Sequence, residues 1–369
     1  MTRTVSFERA AQSGHARAGL LHTRRGVVQT PAFMPVGTQA SVKALDPGEV
    51  AATGARMVIM NTYHLWLRPG PEVVQDGGGL HDFSRWPHVI ATDSGGFQAF
   101  SLAERTKVSE EGFAFSSHLD GSRRMLSPEE SMRVQGMLGS DVAMQLDICP
   151  PGGSARDVVL EAMARTTRWA ARCLESRRPD QALFCIVQGG TDVELRLRHL
   201  AELQALPFDG VALGGFSVGE PPEHMHRALA EVAPRMDPAR IHYLMGVGTP
   251  SDLVRAIGAG IDLFDCVMPT RNARNGQVFV RTGKLVIKNA KYRTDREVIE
   301  PGCDCAACAG GYSRAYLRHL YVAGEILAHR LLTLHNLRFY ARLVAEARAA
   351  VLEARYASWA TEKLRELGA

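Results

Sequence analysis

The chain has 369 residues, 46% hydrophobic and 22% charged, with 35 glycines and 18 prolines, an ordinary globular composition long enough to bury a large core. Its formal net charge of +4 is compatible with an RNA partner but excludes the dense basic runs of a non-specific nucleic-acid binder. No stretch approaches the roughly 20 apolar residues of a membrane span, and Met1-Thr2-Arg3-Thr4-Val5-Ser6 lacks the apolar core of a secretion signal, so a cytosolic enzyme is the default.

Residues 1–30 alternate weakly between apolar and polar side chains, which predicts an N-terminal strand pair capping the rest of the fold. A pattern then recurs: a short apolar run ends in a polar or glycine-rich tip. The runs are Phe33–Val36, Met57–Met60, Val89–Thr92, Val142–Leu146, Phe184–Val187, Val211–Leu213, Tyr243–Met245 and Ile261–Phe264. Near-continuous apolar runs of this kind are what buried parallel strands look like. Helical signals lie between several of them. Ser127-Pro128-Glu129-Glu130 has an N-cap serine, a proline in the first turn and an acid three residues after the cap, and Thr249-Pro250-Ser251-Asp252 repeats that logic. Residues 155–177, 191–205 and 221–233 carry apolar side chains at helical spacing, and the Ala-, Leu-, Arg- and Glu-rich tail from about 335 predicts one long helix.

Eight strands alternating with helices predict an α/β fold, a (β/α)8 TIM barrel, with the polar tips gathered at the C-terminal face where such barrels do their chemistry. An open doubly wound sheet is the rival, but it gathers ligands at one switch point, whereas here functional side chains stand on many tips. The expected organisation is a cap over 1–30 and a barrel over 31–369, with a zinc-binding subdomain inserted at about 270–345.

Several tips carry chemistry. Asp93 stands in Thr92-Asp93-Ser94-Gly95-Gly96-Phe97-Gln98 and Asp265 in Leu263-Phe264-Asp265-Cys266-Val267-Met268-Pro269. Two carboxylates at a barrel mouth suit glycosidic bond cleavage, one attacking the anomeric carbon and one moving the proton; either alone reads first as a helix cap or turn residue, and it is the pair that points to chemistry. Asp147 follows the fourth run, with Cys149 beyond it, and Gln188 follows the fifth. A carboxylate, an amide and the backbone of Gly214-Gly215 together could read the hydrogen-bonding edge of a guanine-like base. A metal on Asp147 is the alternative, though no histidine lies near it in sequence. Arg271-Asn272-Ala273-Arg274-Asn275-Gly276 follows the eighth run and suits phosphates or base edges, or is simply a solvated basic loop.

Of seven cysteines, three form Cys303-Asp304-Cys305-Ala306-Ala307-Cys308. Clustered thiolates in a chain of this size read first as metal ligands, and zinc takes four in a tetrahedron. His335 is the best fourth, with His319 and His329 as alternatives. Four protein ligands leave no open position, which predicts a structural rather than a catalytic ion. A reduced cysteine cluster without metal is the bland alternative.

These segments together resemble bacterial tRNA-guanine transglycosylases, the queuine tRNA-ribosyltransferase family. The matching motifs are FMPVGT, MNTYHL, TDSGGFQ, VQGG, GGFSVGE, YLMGVG, FDCVMPTRNARNGQ, the cysteine cluster, YSRAYLRHL and HNLRFY, in one order over nearly the whole chain. The resemblance implies a (β/α)8 barrel with an inserted zinc subdomain. It implies Asp265 as nucleophile and Asp93 as general acid/base. It places Asp147, Gln188, Gly215 and the Phe216 backbone on the base, with Tyr243, Met245, Phe97 and Cys149 lining the pocket and Glu220 steadying the Phe216-Ser217 peptide. Arg271 and Arg274 fall in the loop that reads the anticodon, and Cys303, Cys305, Cys308 and His335 match the zinc ligands.

The implied reaction exchanges the wobble guanine of tRNAs with GUN anticodons for 7-aminomethyl-7-deazaguanine, with tRNA as partner, no redox cofactor, and a homodimer formed through the zinc subdomain and its flanking helices. Two positions of the pocket wall are implied to set base selectivity: bacterial members carry Cys and Val there, eukaryotic queuine users Val and Gly, and this chain has Cys149 and Val218. The chain departs from the bacterial pattern at Phe216-Ser217 (usually Leu-Ala), at Ala273 (commonly Gly), at Thr249 (usually Lys) and by an extra glycine before Tyr312. A barrel hydrolase acting on a free purine-like base is the enzymatic rival. An RNA-binding protein that has lost the chemistry is the other, disfavoured because both aspartates are present.

Overall fold

A computed structural model describes residues 4–101 and 106–369; residues 1–3, part of the stretch read for a leader, lie outside the described residues. In chain order the strands are Val5–Ser13 (β1), Ala16–Thr23 (β2), Gly26–Thr30 (β3), Ala32–Met34 (β4), Val36–Gly37 (β5), Met57–Met60 (β6), Val89–Thr92 (β7), Lys107–Val108 (β8), Phe113–Ser116 (β9), Arg123–Leu126 (β10), Val142–Met144 (β11), Ala182–Val187 (β12), Gly210–Leu213 (β13), Ile241–Leu244 (β14), Leu263–Asp265 (β15), Gln277–Val280 (β16) and Gly283–Val286 (β17). The large sheet runs β4-β15-β14-β13-β12-β11-β7-β6-β5, and the neighbours within it pair in parallel. Its two end strands are one run interrupted at Pro35, which has no N–H to donate to a ladder. Pro35 still accepts from the Ile59 N–H at 3.1 Å, so the sheet closes into an eight-stranded barrel made of the eight apolar runs.

Barrel strands β6, β7, β11, β12, β13 and β14 are buried throughout, as a sheet covered on both faces requires. Helices Arg156–Ser176, Val193–Gln204 and Pro222–Val232 fill the outer layer within a residue or two of their predicted spans, joined by Pro250–Ala259, for which only the start was predicted. The last of them starts at Thr249, whose side chain accepts from the Asp252 N–H while Asp252 accepts from the Thr249 N–H. This reciprocal cap stabilises the helix by about 1 kcal/mol. Ser127 likewise caps Pro128–Leu138 by accepting from the Glu130 N–H.

Three features depart from expectation. The N-terminal sheet has three antiparallel strands, β1-β2-β3, rather than a pair, because Gly26 at positive φ lets the chain turn once more. Its Val5, Leu21 and Val28 continue the barrel's inner core of Met34, Met57, Phe184 and Tyr243, and so seal its lower end. The tail is two helices, Ile326–Leu352 and Tyr356–Glu366. Ala354 in the left-handed region breaks the run, and the Tyr356 hydroxyl donates to the Val254 carbonyl at 2.6 Å, turning the second helix onto the helix at 250–259. A three-stranded antiparallel sheet, β8-β9-β10, also stands between β7 and β11, where no strand was predicted.

After β15 the chain leaves the barrel. Val278, Val280, Ile287, Tyr292, Ile299, Leu317, Leu331 and Leu332 form a second small core around the three clustered cysteines. Helix Ile326–Leu352 then returns, its later residues Leu337, Tyr340, Leu343 and Val344 packing into the main core in the place of an eighth barrel helix. No helix among the described residues is long and apolar enough to cross a membrane.

Candidate active site and metal centre

Strand register brings the two catalytic candidates together. Met60 pairs with Thr92, so the next residues along, Asn61 and Asp93, are neighbours at the strand tips. Asn61 caps the helix Thr62–Leu67 by accepting from the His64 N–H at 2.9 Å, and its amide donates to Asp93 Oδ2 at 2.5 Å. Asp93 Oδ1 accepts from the N–H groups of Thr62 (2.9 Å) and Gly95 (3.1 Å). Burial nevertheless dominates: it lifts Asp93 to about 7, with the nearby Asp265 charge adding to the rise and the three hydrogen bonds opposing it. A carboxyl poised near neutrality can both give and take a proton.

Across the mouth, Tyr243 pairs with Leu263, and Asp265, two residues on, faces the same way. The Tyr243 hydroxyl donates to Asp265 Oδ1 at 2.5 Å, and the Gly246 N–H donates to the same oxygen at 2.8 Å. Oδ2 has no protein donor among the described residues, so one oxygen is anchored and the other free. Burial raises Asp265 above the usual carboxylate range, and these two donors hold it down.

The third carboxylate, Asp147, accepts from Gln188 Nε2 at 2.7 Å and from the Ser94 hydroxyl at 3.4 Å. The Gln188 N–H is in turn held by His199 Nδ1 at 2.8 Å, while Gln188 Oε1 is buried with no hydrogen-bond partner among the described residues. A side chain on Gly215, itself at φ +67°, would drive its Cβ into that oxygen, so only glycine fits there. Beyond it, Glu220 accepts from the N–H groups of Ser217 and Val218, fixing the Phe216-Ser217 peptide. Val218, Glu220 and Gly215 line a cavity of about 150 Å³ with Pro150 and Gly189. A larger groove of about 610 Å³, between β3 and helix 326–352, contains no carboxylate and lies at the opposite end of the strands.

Burial lifts Asp147 to about 6, against the pull of its two donors. A folded-state pKa above the unfolded value of about 3.9 means that the folded chain holds the proton more tightly, so stability falls as pH rises between the two values. Asp147→Asn keeps an acceptor for Gln188 and removes the titration. Relative to this variant, the wild type should lose up to about 3 kcal/mol of unfolding free energy between pH 4 and 7. Urea unfolding at a series of pH values measures this; a pH-independent difference would contradict it.

Tyr243 is buried with its hydroxyl on Asp265, a contact not foreseen for a residue read as pocket wall. Met245 is half-buried one tip away, Phe97 is 48% exposed on helix Gly96–Ser101, and Cys149 is half-buried beside Asp147. Arg271 and Arg274 stand not on a loop but on a helix, Met268–Arg274, directly after β15; Arg271 is exposed, and Arg274 has one buried guanidinium nitrogen with no partner among the described residues. Asn61, Thr62, Gly246, His199 and Arg196 were not singled out from the sequence. The register of adjacent strand tips was the available signal for Asn61 and Gly246.

At the second centre, Sγ of Cys303, Cys305 and Cys308 lie 3.8, 3.5 and 3.5 Å from His335 Nδ1. Zinc–sulfur and zinc–nitrogen bonds of about 2.3 and 2.0 Å at the tetrahedral angle would put S and N roughly 3.6 Å apart. All four ligand atoms lie within 4.8 Å of one another and are buried. His335 Nε2 donates to the Phe279 carbonyl at 2.7 Å, which leaves Nδ1 as the free ligand atom. The donor set is that of one structural zinc, closed to substrate; His319 and His329 are not part of it.

The queuine tRNA-ribosyltransferase family model matches residues 12–369. A queuine tRNA-ribosyltransferase of Sorangium cellulosum is 65% identical over 362 residues, covering 98% of this chain and 92% of that protein. Those of Pelotomaculum thermopropionicum and Xanthomonas axonopodis pv. citri are 53% and 52% identical, covering 96% and 94% of this chain and 96% and 92% of their own lengths.

Proposed function

The chain belongs to the queuine tRNA-ribosyltransferase family and is a tRNA-guanine transglycosylase, and on that premise we propose that it replaces the wobble guanine of tRNAs with GUN anticodons by 7-aminomethyl-7-deazaguanine through a covalent ribosyl-enzyme. The observation that carries the mechanism is the unequal pair of aspartates. Asp265 has one anchored and one free oxygen; the free Oδ2 attacks the anomeric carbon as the bond to guanine N9 breaks. Asp93, poised near 7, supplies the proton that guanine needs to leave, then removes one from the incoming base, whose ring nitrogen displaces Asp265. One glycosidic bond replaces another, so no redox cofactor takes part.

Asp147, Gln188 and the Gly215 N–H read the edge of the base, which offers two kinds of donor and one acceptor. Glu220 holds the Ser217 N–H, and in a trans peptide the Phe216 carbonyl then points the other way, where it can accept from the aminomethyl group of the incoming base. Tyr243, Met245, Phe97 and Cys149 complete the pocket, and Arg271 and Arg274 meet the anticodon loop. In this reading residues 1–30 cap a catalytic unit of 31–369, the metal-holding segment at about 270–345 carries a homodimer contact, and the enzyme works in the cytoplasm. Incorporation of 7-aminomethyl-7-deazaguanine into unmodified tRNA, followed by nucleoside analysis, tests the reading: the base should appear at the wobble position, and its absence would sink the proposal.

The same assay reads selectivity. Queuine carries a cyclopentenediol on the aminomethyl nitrogen, and Val218 stands with Gly215 and Glu220 in the wall of the cavity beyond it. Forcing a ring against the half-buried Val218 side chain costs about 1–3 kcal/mol where the wall cannot give, roughly tenfold or more in discrimination. The wild type should therefore prefer the smaller base, and Val218→Gly should narrow the gap. Equal use of queuine by the wild type would show that the wall is open.

A further inference from the structure

Arg196, on the helix Val193–Gln204, is fully buried and has no carboxylate partner among the described residues. Its guanidinium donates instead to main-chain carbonyls: Gly190 through Nε, Val187 through Nη1 (3.4 Å), and Gly214 and Gly215 through Nη2 (2.9 and 3.3 Å). The Phe216 ring covers its face, 3.5 Å from the guanidinium carbon. Phe216 stands where Leu is usual in the bacterial relatives, and its ring is spent on Arg196. Glu220, the nearby acid, uses both oxygens on the Ser217 and Val218 N–H groups. Burial depresses Arg196 to about 9, still charged at neutral pH.

A desolvated cation without a counter-ion is costly, and packing alone would be served as well by a neutral side chain. The acceptors point to its use. Trans peptides set N–H opposite C=O, so bonds to the Gly214 and Gly215 carbonyls from one side aim the N–H groups of Gly215 and Phe216 to the other. Neither N–H has a protein acceptor among the described residues. A cation on the carbonyl also polarises the peptide and strengthens its N–H as a donor. The glycine at 189 belongs to the same arrangement, since a Cβ there would meet Arg196 Cγ at 2.7 Å.

We propose that Arg196 is a positioning residue for departure of the base: it holds the Gly214–Phe216 peptides against the purine and polarises their N–H groups to receive its negative charge. The proposal rests on the reading that Gly215 and Phe216 face the base. As C1′–N9 breaks and C1′–Oδ2 of Asp265 forms, the electron pair passes into the purine until Asp93 delivers its proton. Asp93 keeps its proton until it delivers it and Asp265 loses its charge as the bond to C1′ forms, but Asp147 and Glu220, the other acids assigned to that pocket, would repel the developing anion. The positive charge behind the two peptides opposes that repulsion.

The test is the single-turnover rate of covalent enzyme–tRNA formation, measured beside tRNA affinity and thermal melting, for wild type, Arg196→Lys and Arg196→Met. Lys keeps a cation and a similar volume, and carries the test if Met fails to fold. Deleting one preorganised donor outright costs roughly 10²–10³-fold in rate, and Arg196→Met leaves both N–H groups in place but unheld and unpolarised, so its effect falls at the low end of that range. The expected result is a loss of about a hundredfold in Met and a smaller one in Lys, with tRNA affinity unchanged. A folded Lys variant with the wild-type rate, equal losses in the two variants, or a loss confined to tRNA affinity would overturn the proposal alone. Absence of any adduct with the wild type would overturn the reading of the site beneath it.

Discussion

Asp265→Asn is expected to reduce base exchange by about 10⁴-fold or more, to background, while leaving the fold and tRNA binding intact. Removal of a covalent nucleophile has effects of this order because no neighbouring group can replace it. The substitution is mild in every other respect. The amide oxygen of Asn can still accept from the Tyr243 hydroxyl and the Gly246 N–H, which already anchor Oδ1. Only the free oxygen is exchanged, for an NH2 that cannot attack. A denaturation-resistant enzyme–RNA adduct should form with wild type and be absent from the variant. The substitution also removes the neighbouring charge that helps raise Asp93, so Asp93 should titrate below its wild-type value of about 7. An adduct formed by the variant would assign the nucleophile elsewhere.

Removal of the metal is the second change with a large expected effect. Structural zinc sites contribute on the order of 10 kcal/mol or more of binding energy to folding, comparable to the whole stability of a typical domain, about 5–15 kcal/mol. Here the three cysteines sit inside the small core of Val278, Ile287, Tyr292, Ile299 and Leu317. His335 lies on the helix that also packs into the barrel through Leu337, Tyr340 and Leu343. Loss of the ion should unfold residues from about 277 to 323 and loosen that helix, and exchange activity should fall with it. Elemental analysis should find one zinc per chain, and hydrogen exchange after chelation should show lost protection across this segment. Unchanged protection with full activity after verified zinc removal would contradict a structural role.

How far the molecule was legible in its sequence depends on which signals are local. The eight apolar runs were readable because a strand covered on both faces leaves no polar side to confuse the pattern. The cysteines were readable because three ligands come from one loop. His335 could be preferred over His319 and His329 from the sequence, but the alternatives are excluded only in three dimensions, where His335 alone of the three reaches the cysteines. The extra N-terminal strand escaped because Gly26-Val27-Val28-Gln29-Thr30 is short and mostly exposed. Arg196 escaped for a more general reason. In Val193-Glu194-Leu195-Arg196-Leu197-Arg198 an arginine reads as the solvated face of a helix, and nothing local distinguishes it from Arg198, which is paired with Glu202 in solvent. The clue was distributed: glycine pairs at two adjacent strand tips, 189–190 and 214–215, leave a space that a long side chain from elsewhere has to fill.

The contacts of Asp265 with Tyr243 and Gly246 were likewise implicit in register rather than in any motif. The aspartates could be named from their motifs, but the division of labour proposed for them draws on which oxygens are already occupied, and that is a matter of three dimensions.

The measurement closest to the central claim is exchange of isotopically labelled guanine into an unmodified GUN-anticodon tRNA and into the same transcript with its wobble guanine replaced by adenine. Double displacement at one glycosidic bond predicts incorporation approaching one label per chain in the first, none in the second, and an intact RNA throughout. Release of free guanine without incorporation, leaving an abasic RNA, or equal labelling of the two transcripts would contradict it.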